Sequence, residues 1–257
     1  MVNPDFMKEK GKANKILLAV LTAVCIAALV ISLALALRIY LPQKKGENRV
    51  EDLGQIAAAA TDAAQSDTEK AQASFAALKK LNSDYAGWLH IEGTKIDYPV
   101  MQPPQGDSEY YLRRDFDKKD AQAGSLFLGE GCTTDSRAVI IYGHNMQTET
   151  MFGSLDSYKS FSFAKDHPEI ELTTGSGKRV YRVFAAFQTQ LGSGAFAYDE
   201  VTGDISEPAY NEAVQRLREM SDIALNEQPA YPAQLLLLST CSYHTEDGRF
   251  VVAAYLR

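Results

Sequence analysis

Cysteine is scarce in this sequence, with three residues in 257, and the shortage excludes a disulfide-built scaffold. Cys25 falls inside a long apolar run, which leaves Cys132 and Cys241 either to bridge one another or to stay reduced. Positive charge is short too beyond the first forty residues. Residues 41–257 carry 21 Lys and Arg against 31 Asp and Glu, a net charge of −10, which excludes nucleic acid as a partner. Charge of either sign is missing from residues 16–37, 22 positions in a row. As a helix rising about 1.5 Å per residue that run reaches about 33 Å, enough to cross a bilayer. Nothing resembles an internal repeat, and no grouping of His, Cys, Asp and Glu has metal-ligand spacing. No cofactor is expected.

The apolar run is longer than a signal-peptide core and ends at Arg38, Ile39 and Tyr40 in place of a small-residue cleavage site, so it reads as an uncleaved anchor. Lys8, Lys10, Lys12 and Lys15 precede it, against Arg38, Lys44 and Lys45 after it, a bias that puts the N-terminus in the cytoplasm. The expected layout is a cytoplasmic segment over residues 1–15, a transmembrane anchor over 16–40, a polar, alanine-rich spacer over 41–68, and an extracellular globular domain over 69–257. With 46% hydrophobic and 10% aromatic residues the chain can bury a core of that size.

Regular helices between strands are also missing. After an amphipathic helix over 69–81, short β-rich segments follow at 88–91, 95–100, 125–128, 138–142, 170–173, 179–188, 235–240 and 250–256. One helix interrupts them, over 207–226, with Ala213, Leu217, Met220 and Ala224 on one stripe. The pattern predicts a mainly β domain, an antiparallel barrel or sandwich.

What is there is chemistry at strand ends. The stretch "LLLLSTCSYHTEDGRF", residues 235–250, runs from a strand apolar on both faces into Cys241, and its Asp247-Gly248 turn leads to Arg249. A hairpin sets Cys241 and Arg249 on neighbouring strands, about 4.8 Å apart. A second strand, 138–142, ends in Gly143-His144. A thiol of pKa near 8.5 is a poor nucleophile at neutral pH unless an imidazolium or guanidinium lies beside it. Histidine can pass a proton to a leaving amine, and arginine can hold an oxyanion. Each residue also has a plainer reading, as core thiol, turn histidine or solvated charge. His90 and His167 read as bystanders. His244, three residues from the thiol, rivals His144, and spacing alone does not separate them.

The residues around these positions resemble the sortases, membrane-anchored cysteine transpeptidases of Gram-positive bacteria. The family signature Thr-Leu-x-Thr-Cys is met by Leu237-Leu238-Ser239-Thr240-Cys241 except at its first position, where leucine stands for threonine. The family's arginine matches Arg249, and its histidine matches His144 in "IIYGHNM". The likeness runs from about residue 82 to the C-terminus through "GWLHIEGTKIDYPVMQ", "YYLRRDF", "GSLFLG" and "MFGSLDSY", and it resembles the class B branch. It implies an eight-stranded sortase-type β-barrel with peripheral helices. It also implies a thioacyl-enzyme on Cys241, acid–base work by His144, and substrate and oxyanion binding by Arg249. By matching position, Leu112, Tyr142, Ser239 and Thr240 are expected to line the sorting-motif pocket. The partners implied are secreted proteins with a C-terminal sorting motif, of the type Asn-Pro-x-Thr-Asn/Gly, and an amine of a peptidoglycan precursor.

Two enzyme families with related chemistry fit less well: L,D-transpeptidases keep arginine two residues after cysteine, and papain-like peptidases place cysteine before histidine. A wall-surface binding module with an inert cysteine, and a sortase acting mainly as a hydrolase, are the alternatives.

Overall fold

The computed structural model describes residues 4–62, 64–190, 196–241 and 247–257, without the side chains of residues 4–17 and of Cys241. The chain divides into two units, Met1–Glu47 and Asn48–Arg257. The described part of the first, residues 4–47, lies within helix α1 (Pro4–Ala59). Among the described residues this is the helix long and apolar enough to cross a membrane, with mean hydropathy 2.8 over its most apolar window and none of that window buried. Leu29, 70% exposed, is typical of its surface, which suits lipid and not water.

The second unit contains the end of α1, helix α2 (Asp67–Leu81) and eight strands: β1 (Tyr85–His90), β2 (Asp97–Met101), β3 (Leu126–Leu128), β4 (Ala138–Tyr142), β5 (Glu169–Thr174), β6 (Gly177–Gln190), β7 (Leu235–Cys241) and β8 (Gly248–Leu256). Short helix α3 (Phe161–Asp166) precedes β5, and α4 (Glu207–Glu219) lies between β6 and β7. The strands close into a barrel in the order β1-β2-β3-β4-β7-β8-β6-β5. Closure leaves no strand edge open to pair with another chain. The pattern predicted antiparallel pairing throughout, but two pairs, β2–β3 and β4–β7, are parallel. Both join strands separated by long connections, as parallel pairing requires.

The leucine run of β7 is apolar on both faces because both faces are covered. Leu236 and Leu238 join Val139, Ile141, Val252 and Ala254 inside the barrel. Leu235 and Leu237 join Ala138, Ile140, Val251 and Ala253 on the outer face, under Tyr210, Ala213 and Leu217 of α4. Helix α4 ends sooner than its apolar stripe suggested. After Met220 the backbone turns to bond β6, with Asp222 N–H donating to Ala186 O at 2.8 Å and Asp222 Oδ2 accepting from Gln188 N–H at 3.0 Å.

Helix α2 begins in a capping box, Ser66 Oγ accepting from Glu69 N–H at 3.2 Å and Glu69 Oε2 accepting from Ser66 N–H at 3.1 Å. The compact unit, however, starts well before α2. Residues 48–59, expected within the spacer, are helical, and Leu53 is fully buried with Leu78, Tyr85, Tyr111 and Phe116. Arg49 fixes the same helix by a bidentate pair with Asp117, 3.0 Å from Nε and 2.8 Å from Nη2. That pair, above all through its hydrogen bond, holds the Asp117 carboxyl below the usual range. Leu53→Ala is therefore expected to destabilise the full-length protein by about 2–5 kcal/mol in a urea titration followed by tryptophan fluorescence. An unchanged midpoint contradicts the packing of this stretch on the domain.

Candidate active site

Three adjacent strands, β4, β7 and β8, bring the predicted residues to one end of the barrel. In the parallel β4–β7 pair Tyr142 faces Ser239, and Gly143 N–H donates to Ser239 O at 3.2 Å. His144 and Cys241 each lie two residues further on, at the same end because the strands run the same way. Across the antiparallel β7–β8 pair Cys241 stands directly opposite Arg249. Side-chain positions alternate along a strand with a period of two, so Tyr142 shares a face with Ala138 and Ile140, and Ser239 with Leu235 and Leu237. Arg249 continues Ala253 and Val251. All three series belong to the outer face that α4 covers lower down. With neighbouring strands about 4.8 Å apart, the three positions fall within roughly 10 Å. The side chain of Cys241, residues 242–246 and hence the rival His244 lie outside the described residues.

Gly143, directly after β4, has little room for a side chain. A Cβ there meets Leu126 Cδ2 at 2.4 Å and Phe152 Cδ2 at 2.7 Å. Beyond it the half-buried His144 ring has Nε2 at 2.8 Å from the main-chain oxygen of Leu112, in the 3-10 turn Tyr110–Arg113. A carbonyl only accepts, so Nε2 carries hydrogen and Nδ1 is the nitrogen left for proton transfer in the neutral ring. Burial pushes the His144 pKa below its ordinary 6.5; the bond to Leu112 opposes this, and the Arg113 charge adds to it. Burial thus disfavours the charged ring, and Arg249 is the permanent cation whose position pairs with 241.

The Arg249 side chain is half-buried, and its Nη1 donates to Gly248 O at 3.0 Å. Among the described residues no carboxylate lies within ion-pair distance of it. Its charge reaches Tyr142, whose phenol burial raises well above its usual range while Tyr198, Asp199 and Cys132 add to the rise and Arg249 works against it. Leu112 and Tyr142 are half-buried. Ser239 and Thr240 are closed to solvent. Ser239 Oγ bonds Tyr198 Oη at 2.8 Å, while Thr240, on the barrel-interior face, has no partner for Oγ1 among the described residues. Leu237, where the sequence departs from the expected signature, is buried under α4.

Cys132 is a buried free thiol 3.3 Å from Gly129 O, so no bridge ties it to Cys241. His90 bonds Glu92 and Asp97, and His167 bonds Glu92 O at 2.8 Å, far from the site's chemistry. A cavity of about 670 Å³ beside α4, lined by Phe184, Val214 and Arg218 among others, contains none of the predicted site residues. Sequence reasoning missed Tyr198 and Arg113. Tyr198 carries no motif around it, whereas Arg113 lies within "YYLRRDF" and was legible as part of that stretch.

An eight-stranded closed barrel with cysteine, histidine and arginine positions at the ends of three neighbouring strands is the architecture of a cysteine transpeptidase. The Sortase domain family model matches residues 89–257, and the chain belongs to the sortase family. Its relatives are of class B. Sortase B of Listeria monocytogenes is 32% identical over 70% of this chain and 72% of its own length. Sortase B of Staphylococcus aureus is 28% identical over 72% and 75%. The solved Staphylococcus aureus sortase B–substrate complex superposes with a TM-score of 0.74 at 26% identity, covering 84% of this chain and 98% of that one. Bacillus anthracis sortase B in complex with AAEK1 gives 0.72 at 25% identity, covering 85% and 99%.

Because a side chain at Gly143 crowds Leu126 and Phe152 next to His144, Gly143→Ala is expected to slow transpeptidation by about tenfold or more. The check is steady-state kinetics alongside a thermal melt; full activity at unchanged stability contradicts the tight exit.

Proposed function

We propose that this enzyme cleaves a C-terminal sorting motif after threonine in secreted proteins and joins the shortened protein to an amino group of a cell-wall precursor. The observation that carries the reading is the register that sets Cys241 opposite Arg249 with His144 two residues past the end of the adjoining parallel strand. The Cys241 thiolate attacks the threonine carbonyl, and Arg249 takes the developing oxyanion. As the carbon–nitrogen bond breaks, His144 donates a proton to the leaving amine. The threonine acyl group is then held as a thioester on sulfur. An incoming amine attacks it, His144 takes the amine's proton, and the thiolate leaves. Water in place of the amine turns the same cycle into hydrolysis.

A sortase B relative solved in complex with triglycine supports an acceptor amine of glycine type. The apolar helix supports a membrane anchor. With the N-terminus in the cytoplasm and the barrel outside, the site stands where exported proteins and wall precursors pass.

Productive attack needs thiolate and imidazolium together. The imidazolium share falls as pH rises through the His144 pKa, which lies below 6.5. The thiolate share rises up to the thiol pKa, ordinarily about 8.5. Their product climbs until the first value, stays level, and declines after the second. Plots of kcat/KM against pH are expected to be bell-shaped with an acid midpoint below about 6.5. A midpoint above that shows the ring to be more basic than its burial dictates.

The function itself is tested by incubating the full-length protein in detergent with a panel of sorting peptides, the Asn-Pro-x-Thr-Asn/Gly type included, and several amines, reading products by mass. Cleavage after threonine and amine-dependent ligation are expected, lost in Cys241→Ala and reduced about 10²–10⁴-fold in His144→Ala. Cleavage that survives Cys241→Ala removes the mechanism.

A further inference from the structure

The carbonyl that receives His144 Nε2–H belongs to a 3-10 turn that is held on its other side by a glycine. Gly124 has φ +58°, and a Cβ there meets Leu112 O at 2.4 Å, Tyr111 O at 2.7 Å and Leu112 C at 2.8 Å. All three are main-chain atoms, which cannot swing away as a side-chain tip can. Both the positive φ and the contact demand glycine. The surrounding stretch closes on itself. Ala121 N–H donates to Arg113 O at 2.9 Å, Gly124 N–H to Ala121 O at 3.1 Å, and Ser125 N–H to Tyr111 O at 3.0 Å. Ser125 Oγ donates to Arg114 O at 2.9 Å.

The turn is anchored beneath as well. The fully buried Tyr111 ring sends its hydroxyl to Asp84 Oδ2 at 2.8 Å and accepts from Asn82 Nδ2 at 3.1 Å, while the same Nδ2 lies 2.6 Å from Phe116 O. Lys118 Nζ pairs with Asp84 at 2.8 Å. The Leu112 carbonyl is thus fixed from both sides before the histidine meets it.

We infer that Gly124 is a positioning residue for the transpeptidation. Acting through the Leu112 carbonyl, it fixes the Nε2–H tautomer of His144 and leaves Nδ1 as the atom that exchanges the proton with the amine. Leu112 then contributes its main chain to the histidine in addition to any side-chain contact with substrate. The inference rests on the proposed role of His144 as the acid–base group. It adds a requirement at a position with no reactive group of its own.

The test uses full-length protein in detergent, labelled with ¹⁵N-histidine, and the Asn-Pro-x-Thr-Asn/Gly peptide that the wild type cleaves best. The ring-nitrogen shifts of neutral His144 in the wild type are expected to report hydrogen on Nε2. Gly124→Ala is expected to mix the two tautomers and to lower kcat about tenfold or more while KM stays within about twofold. Ser125→Ala, which loosens the same turn without straining φ, is expected to lower kcat about threefold with the same spectral change in smaller measure. A wild-type His144 with hydrogen on Nδ1 overturns the inference. So does a Gly124→Ala protein with unchanged kcat or, should that variant not fold, a Ser125→Ala protein with unchanged kcat and spectrum. A wild type that cleaves no peptide removes the proposed function, while its spectrum still decides the tautomer.

Discussion

The main-chain ladder joining β4, β7 and β8 is the constraint on which the site depends. Its parallel half aligns the ends of β4 and β7, and its antiparallel half sets position 249 against position 241. A slip of one residue in either pair turns one of the three side chains to the opposite face. Leucines at 236 and 238 fill the barrel and those at 235 and 237 pack under α4, so the run itself would tolerate leucine replacing leucine on either face. The slip is opposed at the two ends of the run, where Gln234 Nε2 donates to Thr134 O at 3.0 Å and Ser239 Oγ bonds Tyr198 Oη at 2.8 Å. These polar contacts hold the register that the packed leucines stabilise.

Within that frame two electrostatic effects compete at His144, and burial wins. The Leu112 carbonyl favours the charged ring, but loss of hydration and the Arg113 charge disfavour it. In the proposed mechanism this leaves Arg249, opposite position 241 in the β7–β8 ladder, as the lasting positive charge for the thiol. Arg249 suits this part because a guanidinium keeps its charge across the working pH range.

Much of this was readable from residue types. The both-faces-buried β7, the Asp-Gly hairpin and the glycine before His144 followed from composition and period, as did the long apolar helix. The adjacency of β4 and β7 did not: the two strands are separated by β5, β6 and α4 in the chain, and only the family resemblance chose His144 over His244. The role of Leu112 was hidden because it is carried by a main-chain oxygen, which any residue supplies. Leu53 was hidden among alanines and polar residues, its partners lying far along the chain at Leu78, Tyr111 and Phe116. The stripe on α4 ran past the helix end because periodicity does not see the bonds that Ser221 and Asp222 make to β6. The expected pocket role of the Ser239 hydroxyl meets a side chain already engaged by Tyr198.

The most direct measurement of the central claim is the rate of alkylation of Cys241 by iodoacetamide as a function of pH, followed by intact mass in the full-length protein and in Arg249→Gln. With the guanidinium held opposite the thiol by the β7–β8 register, the wild-type midpoint is expected below the ordinary thiol value of about 8.5, moving upward by about one unit when the charge is removed. Identical midpoints in the two proteins contradict the account.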